Sequence, residues 1–244
     1  MLSAHSLSMT FPTGNGGLRA VDKVSFEVAP QEFVCLLGPT GCGKTTILRL
    51  LAGLLTPTEG RVVFNGETVT APPHGVGIVF QDSNLMPWRT VLENIRLPLE
   101  IDGGGSPDPV RELVDLVGLS GFEDALPGEL SGGMAQRVAI ARALVQDPDV
   151  LLLDEPFGAL DALTRERMRL ELLRIWTRRR KTVVMVTHSI NEAVFLADRV
   201  LVLSPRPAQL RLELAVDLPR PRAPEVVHTG AFGEYAKRVR GAIK

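Results

Sequence analysis

The sequence predicts an α/β fold built on a largely parallel sheet. Short runs rich in Val, Leu and Ile and flanked by Gly or Pro recur along the chain, a pattern typical of strands that are buried on both faces. These runs occupy Phe33–Leu37, Val76–Phe80, Val150–Leu153, Thr182–Thr187 and Val200–Leu203. Helical patterns separate most of them. Strands that alternate with helices indicate crossover units, which place ligands at the carboxyl ends of the strands.

Composition favours a compact globular protein. The chain has 244 residues, of which 45% are hydrophobic and 23% are charged, whereas disordered chains are poorer in apolar residues. The formal net charge is −1, so no global electrostatic field recruits nucleic acid and no nucleic-acid partner is expected. No apolar run approaches the roughly 20 residues of a membrane-spanning helix. The N-terminus has no secretory pattern, so a cytoplasmic location is expected.

A glycine-rich loop follows the strand Phe33–Leu37 and opens a helix predicted over Thr46–Gly53. The loop reads Gly-Pro-Thr-Gly-Cys-Gly-Lys-Thr-Thr, which matches a phosphate-binding P-loop in both spacing and context. Glycines let successive backbone N–H groups face one anion, and the helix N-terminus adds partial positive charge. Lys44 is expected to reach the β- and γ-phosphates of ATP, and Thr45 to offer its hydroxyl to Mg²⁺. The predicted nucleotide-binding residues here are Gly38, Pro39, Thr40, Gly41, Cys42, Gly43, Lys44, Thr45 and Thr46.

The strand Val150–Leu153 ends in two carboxylates. Asp154 is expected to hold Mg²⁺ directly or through water, and Glu155 to accept a proton from the water that attacks the γ-phosphate. A solvated acidic pair at a strand edge is the alternative interpretation, and it would be preferred if the pair stood alone.

Helical periodicity replaces the strand pattern between Gln81 and Gln146, which predicts a helical insertion. Apolar residues of Val110–Val117 recur with helical spacing, and Gly118 is placed to end that helix. The run Gly103–Pro107 is predicted to be a linker.

Another helix is predicted to begin at Ser131, a natural N-cap, with Gly132 and Gly133 in its first turn. Backbone N–H groups at this end, next to small residues, form a second phosphate-binding surface. Since one chain has a single triphosphate to bind, this surface is expected to close over the nucleotide of a second copy.

These motifs, in this order, resemble the ATP-binding subunits of ATP-binding-cassette (ABC) transporters over nearly the whole chain. The resemblance implies a P-loop NTPase core with a largely parallel sheet, a small antiparallel β part near the N-terminus and a helical insertion subdomain. It implies a nucleotide-binding domain over residues 1–204, with the insertion at about 82–146. The C-terminal extension over 205–244 contains too many prolines between Pro205 and Pro224 for one continuous helix, so an extended arm followed by a short helix is predicted there.

The same resemblance assigns further site residues. It implies that Gln81 is the loop glutamine that senses Mg²⁺ and the membrane partner, that Asp161 lies in the loop touching the opposite subunit, and that His188 contacts the γ-phosphate. Phe11 occupies the place of the aromatic residue that stacks on adenine, although a core role is the alternative. Two residues depart from the common pattern, Met134 where many members carry Gln and Gly158 where Ser is common, and some importer subfamilies share both.

Two segments are similar to importer subunits of the nitrate, sulfonate and taurine group, namely Phe80–Ile95 and Val216–Arg222. This similarity implies permease partners in the membrane, a second ABC subunit expected to be an identical copy, and, indirectly, an extracytoplasmic solute-binding protein. The protein would then lie peripherally on the cytoplasmic face of the membrane. The alternative is a soluble ABC ATPase that acts in assembly or remodelling. Leu85, Met86 and Trp88 form either an exposed socket for the permease or part of the insertion's core.

Overall fold

The computed structural model describes residues 1–14, 16–103 and 109–243. In chain order the elements are β1 (Leu2–Phe11), β2 (Leu18–Val28), β3 (Phe33–Leu37), α1 (Lys44–Leu51), β4 (Glu59–Phe64), β5 (Glu67–Thr68), β6 (Val76–Val79), α2 (Val91–Ile101), α3 (Val110–Leu116), a 3-10 helix (Pro127–Glu129), α4 (Gly132–Leu144), β7 (Val150–Asp154), α5 (Ala162–Arg179), β8 (Thr182–Thr187), α6 (Ile190–Leu196), β9 (Arg199–Leu203), β10 (Leu210–Ala215), a second 3-10 helix (Pro224–His228) and α7 (Gly230–Ile243). They form two compact units, one comprising Met1–His74 with Thr182–Lys244 and the other comprising Gly75–Lys181.

The first unit contains the N-terminal antiparallel sheet, whose strands lie in the order β2-β1-β4-β5. Strand β1 pairs antiparallel with both β2 and β4. Its residues Leu2, Ala4 and Leu7 are buried, so one face of the sheet packs on the core. This sheet confirms the small antiparallel part that the sequence predicts.

The first unit also contains the strands that carry the phosphate loop. Strand β3 pairs in parallel with β8 on one side and with β9 on the other, and β10 pairs antiparallel with β9. Every residue of β3 and of β8 is buried. Burial on both faces explains why these strands are unbroken apolar runs rather than alternating ones.

The second unit packs four helices with the parallel pair β6 and β7. Helix α2 begins at Thr90 with a capping box, in which Thr90 Oγ1 accepts from the N–H of Glu93 and the Glu93 carboxylate accepts from the N–H of Thr90. The described residues between 82 and 146 include α2, α3, a 3-10 helix and α4, and no strand. Residues 104–107 of the predicted linker lie outside the described residues.

The tail beyond residue 204 belongs to the first unit. It supplies β10 and then α7, a 14-residue helix that buries Phe232 and Val239. Compactness does not divide the chain at residue 204, so the boundary expected there remains a prediction. Among the described residues, no helix is both long enough and apolar enough to span a bilayer.

Candidate functional site

The phosphate loop connects the buried strand β3 to α1 within the first unit. Lys44 is only 4% exposed, and its ammonium group turns back across the loop to donate to the carbonyls of Gly38 and Pro39, each at 3.0 Å. Helix α1 has Gly43 as its N-cap and no side-chain cap, so its N-terminus begins directly at the loop. The arrangement offers an anion both an ammonium group and a helix N-terminus.

Two glycines of the loop are required by its geometry. Gly43 has φ of 120°, and a Cβ there would lie 2.7 Å from the carbonyl oxygen of Ala20. A Cβ on Gly38 would lie 2.9 Å from Cys42 Sγ. At Gly43 a close backbone contact combines with an unusual conformation, and at Gly38 the close contacts alone disfavour a side chain.

His188 lies at the same sheet edge as the phosphate loop. Strand β8 ends at Thr187, which is the parallel partner of Leu37 at the end of β3, so the next residues, His188 and Gly38, follow neighbouring strand ends. His188 is exposed. The structure thus brings the histidine and the phosphate loop together, as their positions after parallel strands predict.

Phe11 lies at the end of the β1–β2 hairpin. It pairs with Leu18 and is half-buried. Ala20, two residues further along β2, presses its carbonyl against Gly43 of the phosphate loop. The hairpin end that carries Phe11 therefore lies beside the loop, and a ring that is half-exposed there is not a fully buried core residue.

The acidic strand end lies within the second unit. Asp154, the last residue of β7, is 6% exposed, and Glu155 has a left-handed backbone with φ of 42°. Left-handed conformations are costly for residues other than glycine and cluster at functional sites. Gln81 follows β6, whose Val79 pairs with Leu153, so Gln81 lies at the same edge as the two carboxylates.

Gln81 also contacts the segment after Glu155. A Cβ on Gly158 would lie 3.3 Å from Gln81 Nε2, so any residue with a side chain at position 158 would press against the glutamine amide. A cavity of about 200 Å³ lies beside these residues, and its lining includes Gln81, Gly132 and Leu160. The glutamine loop, the helix end at Gly132 and the loop after the acidic pair therefore meet within one unit.

Ser131 caps α4 as the sequence predicts, because its Oγ accepts from the N–H of Met134 at 3.3 Å. Gly133 is packed so closely against α5 that a Cβ there would lie 2.8 Å from Thr164 Cγ2. Asp161 caps α5, and its carboxylate accepts from the N–H groups of Leu163 and Thr164, each at 3.1 Å. The side chain of Thr164, and then its backbone N–H, form hydrogen bonds to Asp161 that hold the pKa of this carboxyl below its usual value.

A family model described as ABC transporter matches residues 21–158, more than half of the chain. The matched segment contains the phosphate loop, the glutamine loop, the α4 N-terminus and the acidic strand end. The chain belongs to the ABC transporter family. It is an ATP-binding cassette with a P-loop NTPase fold and it is an ATPase, as the sequence predicts.

Relatives of this cassette match along almost its entire length. It is 46% identical to an uncharacterized ABC transporter ATP-binding protein of Methanocaldococcus jannaschii, in an alignment that covers 100% of this chain and 91% of the relative. It is 42% identical to an aliphatic sulfonates import ATP-binding protein of Bacillus cereus, with 98% of this chain and 94% of the relative covered.

Solved cassettes have the same fold. A dimeric ATP-binding cassette in a post-hydrolysis state, bound to ADP and Pi, superposes with a TM-score of 0.78 and 32% sequence identity. The match covers 90% of this chain and all of that one. Both the ABC family and the fold expected from the sequence are confirmed.

Two residues that the sequence analysis misses hold the loop of the cassette between Gln81 and Trp88. Arg142 on α4 donates to the carbonyls of Ser83 at 2.7 Å and Asn84 at 2.8 Å, and burial lowers its pKa. Asn94, which is fully buried, bonds the backbone from residue 86 to residue 90. The only signal in the sequence is a polar residue within an apolar helix pattern, which does not reveal its partner.

Proposed function

We propose that this ATPase powers a membrane importer for a small solute of the nitrate, sulfonate or taurine class. The observation that carries the proposal is the segment from Gln81 to Trp88. Arg142 and Asn94 fix this segment by its backbone, and yet Trp88 at its far end is 73% exposed. A large aromatic side chain held rigidly at the surface is typical of a protein interface. The likeness to aliphatic sulfonates import proteins supports the same function.

The triphosphate of ATP would be bound by residues of the phosphate loop. Lys44 would exchange its two loop carbonyls for phosphate oxygens, and the N–H groups of Gly41, Gly43 and the first turn of α1 would donate to the same anion. Phe11, at the hairpin end beside the loop, would stack on adenine. The remaining contacts would come from Gly38, Pro39, Thr40, Cys42, Thr45 and Thr46.

Each of the three residues expected to hold Mg²⁺ carries an oxygen donor. Thr45 offers a hydroxyl in the first turn of α1, Asp154 a carboxylate and Gln81 an amide oxygen, and Mg²⁺ prefers oxygen ligands together with phosphates and water. Asp154 is nearly buried at the end of β7, so its carboxylate has a fixed place in the fold. When bound, the ion would neutralise charge on the β- and γ-phosphates.

Hydrolysis would depend on three residues that follow the carboxyl ends of strands, namely Glu155, His188 and Gln81. Glu155 would accept a proton from water as the water oxygen bonds to the γ-phosphorus and the bond to the bridging oxygen breaks, leaving ADP and phosphate. The left-handed backbone of Glu155 is consistent with this role, because such strain is tolerated mainly at functional positions. His188 and Gln81 would orient the γ-phosphate and the water.

Two copies would work together. Ser131, Gly132 and Gly133 at the N-terminus of α4 would cover the phosphates bound by the opposite copy, and Asp161 would lie at the same contact. The solved cassette with the same fold is a dimer. Closure of the pair would move the permease subunits that contact Trp88, and an extracytoplasmic solute-binding protein would deliver the solute. The cassette would lie peripherally on the cytoplasmic face of the membrane.

The test is copurification of the tagged full chain from its native membranes in mild detergent, with partners identified by mass spectrometry. The expected result is a polytopic membrane protein together with an extracytoplasmic binding protein whose ligand names the solute. Recovery of soluble partners alone would contradict the importer and support an assembly or remodelling ATPase.

Two variants make the test specific for the proposed surface. Trp88→Ser is expected to abolish copurification of the membrane protein. Ile101→Ser is the matched control, because Ile101 is an apolar residue of the same unit with a similar exposure of 75%. Equal losses in both variants would show that the membrane partner does not bind at Trp88.

A further inference from the structure

A buried arginine of the C-terminal tail caps the helix that follows His188. Arg222 Nη1 donates to the carbonyls of Val194 at 3.1 Å, Phe195 at 3.0 Å and Ala197 at 2.7 Å, and Nη2 donates to Val216 at 3.1 Å. The side chain is 4% exposed. Three of these carbonyls lie at the end of α6, between 25 and 28 residues before Arg222.

Arg220 completes the cap. Its Nη2 donates to the carbonyl of Leu196 at 2.7 Å, and its Nε donates to the carboxylate of Asp198 at 2.8 Å. The other oxygen of that carboxylate accepts from the N–H of Phe33, the first residue of β3. Arg220 and Arg222, here named the arginine clasp, together donate to all four carbonyls from residue 194 to residue 197.

Helix α6 is short, so it depends on contacts with the rest of its unit, and this cap is one of them. It has seven residues, and helices of this length are unstable on their own since nucleation is costly. The last carbonyls of any helix have no partner within the helix and carry partial negative charge. Burial first, and then the neighbouring charge of Arg220, lower the pKa of Arg222 to about 10, so this guanidinium is still positively charged at neutral pH.

The other end of α6 begins directly after His188. Ser189 is the N-cap, and its Oγ accepts from the N–H of Glu192 at 3.3 Å. The N–H of Ser189 donates to Thr187 Oγ1 at 3.0 Å, and Thr187 Oγ1 donates to the carboxylate of Glu192. The residues on both sides of His188, Thr187 and Ser189, are therefore bonded to Glu192 in the first turn of α6, which ties the position of His188 to that helix.

We infer that the arginine clasp is a positioning device for ATP hydrolysis, in which Arg222 holds α6 and thereby holds His188 at the phosphate loop. This inference rests on the proposed role of His188 at the γ-phosphate. Arg222 bonds to the end of α6 and to Val216, so its effect on turnover passes through the helix. The tail would then be needed for the chemical step and not only for packing.

The decisive experiment is a double-mutant cycle on the full chain with Arg222→Lys and His188→Ala. Lysine keeps the charge, but its single ammonium group cannot span carbonyls that the planar guanidinium reaches with two nitrogens. In the wild-type background Arg222→Lys is expected to lower kcat about tenfold while KM changes less than about threefold. In the His188→Ala background the same substitution is expected to lower kcat by less than about twofold, because the group it positions is already absent.

Arg238→Gln is the matched control, since it removes an exposed arginine of the same tail from α7. It is expected to leave kcat unchanged. Hydrogen exchange gives a second measurement, in which the amide of Ala197, bonded to the carbonyl of Ala193 at 3.0 Å, is expected to exchange faster in Arg222→Lys. If Arg222→Lys fails to fold, Arg220→Lys takes its place in the same cycle.

The outcomes separate the clasp from the function on which it rests. Equal losses of kcat in the two backgrounds, or unchanged exchange in α6, would overturn the clasp and leave the role of His188 standing. Wild-type turnover by His188→Ala alone would overturn the proposed role of His188, and the clasp with it. A loss confined to the background that contains His188 would support both.

Discussion

Replacing Asn94 with Ala is expected to destabilise the unit that contains the glutamine loop. The side chain is fully buried. Its amide nitrogen donates to the carbonyls of Met86 at 3.1 Å, Arg89 at 2.9 Å and Thr90 at 3.0 Å, and its oxygen accepts from the N–H of Met86 at 2.8 Å. The amide group has two hydrogens for these three carbonyls, so the substitution removes about three full hydrogen bonds at once and leaves backbone groups without these partners.

The expected cost follows from that count. A buried hydrogen bond contributes about 1 kcal/mol to stability, so about three bonds amount to about 3 kcal/mol. For a chain of this size each kcal/mol corresponds to a change of roughly 2–4 °C in Tm, which gives a decrease of roughly 6–12 °C. The turn that presents Trp88 should also loosen, since these bonds fix its backbone.

The assay is thermal unfolding followed by circular dichroism, together with tryptophan fluorescence. The chain has two tryptophans, and Trp176 is buried, so subtracting the spectrum of a Trp88→Phe variant isolates the signal of Trp88. Asn191→Ala, which changes an exposed asparagine on α6, is the control and should alter stability by no more than about 0.5 kcal/mol.

Asn94→Asp tests the hydrogen-bond reasoning directly. Aspartate has nearly the same shape, but it replaces the donating amide group with a carboxylate oxygen that faces three carbonyl oxygens. It should therefore destabilise the protein at neutral pH at least as much as alanine does. An Asn94→Asp variant that melts within 2 °C or so of the wild type would refute the account, because packing alone would then explain the burial of this residue.

Three further substitutions test the catalytic site and the loops around it. Glu155→Gln should keep ATP binding and lower hydrolysis by about 10²–10⁴-fold, measured by nucleotide titration and phosphate release; rapid turnover by this variant would remove Glu155 from its role. Gly43→Ala should abolish ATP binding and lower Tm, because its Cβ would meet a backbone oxygen at 2.7 Å. Gly41→Ala is the control, since Gly41 also has a positive φ but an added Cβ there would have no neighbouring atom within 4 Å. It should be milder, and similar effects of the two substitutions would argue against the close approach. Arg142→Lys should speed hydrogen exchange between residues 82 and 85, because lysine cannot hold both loop carbonyls, and unchanged exchange there would show that the loop is fixed by other contacts.

Several features of the fold follow directly from local sequence. The phosphate loop is predictable because its backbone adopts conformations that favour glycine, such as the positive φ of Gly43. The glycines in the sequence therefore mark the loop directly. The strands β3, β7 and β8 are predictable because burial on both faces demands unbroken apolar runs. Ser131 and Asp161 cap helices as their side chains favour.

The extended arm predicted after residue 204 contains a strand that the sequence analysis does not predict. Prolines around residues 205–224 favour an extended arm, but Leu210, Leu212 and Leu214 alternate with charged residues, which is a strand pattern. In the structure these residues lie in β10, paired with β9. This alternation of leucine and charged residues is short and lies between prolines. The prolines favour turns, and they are a stronger pattern than the strand alternation.

The sequence by itself determined the P-loop core, the family and the order of the motifs, because each of these depends on residue types at fixed local spacing. Only the tertiary structure decided what holds the motifs in place, as with Arg142 on the glutamine loop and Arg222 on α6. Both arginines donate to backbone carbonyls that are distant in sequence. Every residue carries a carbonyl group, so an acceptor of this kind leaves no mark in the sequence, and only the folded chain reveals which one is used.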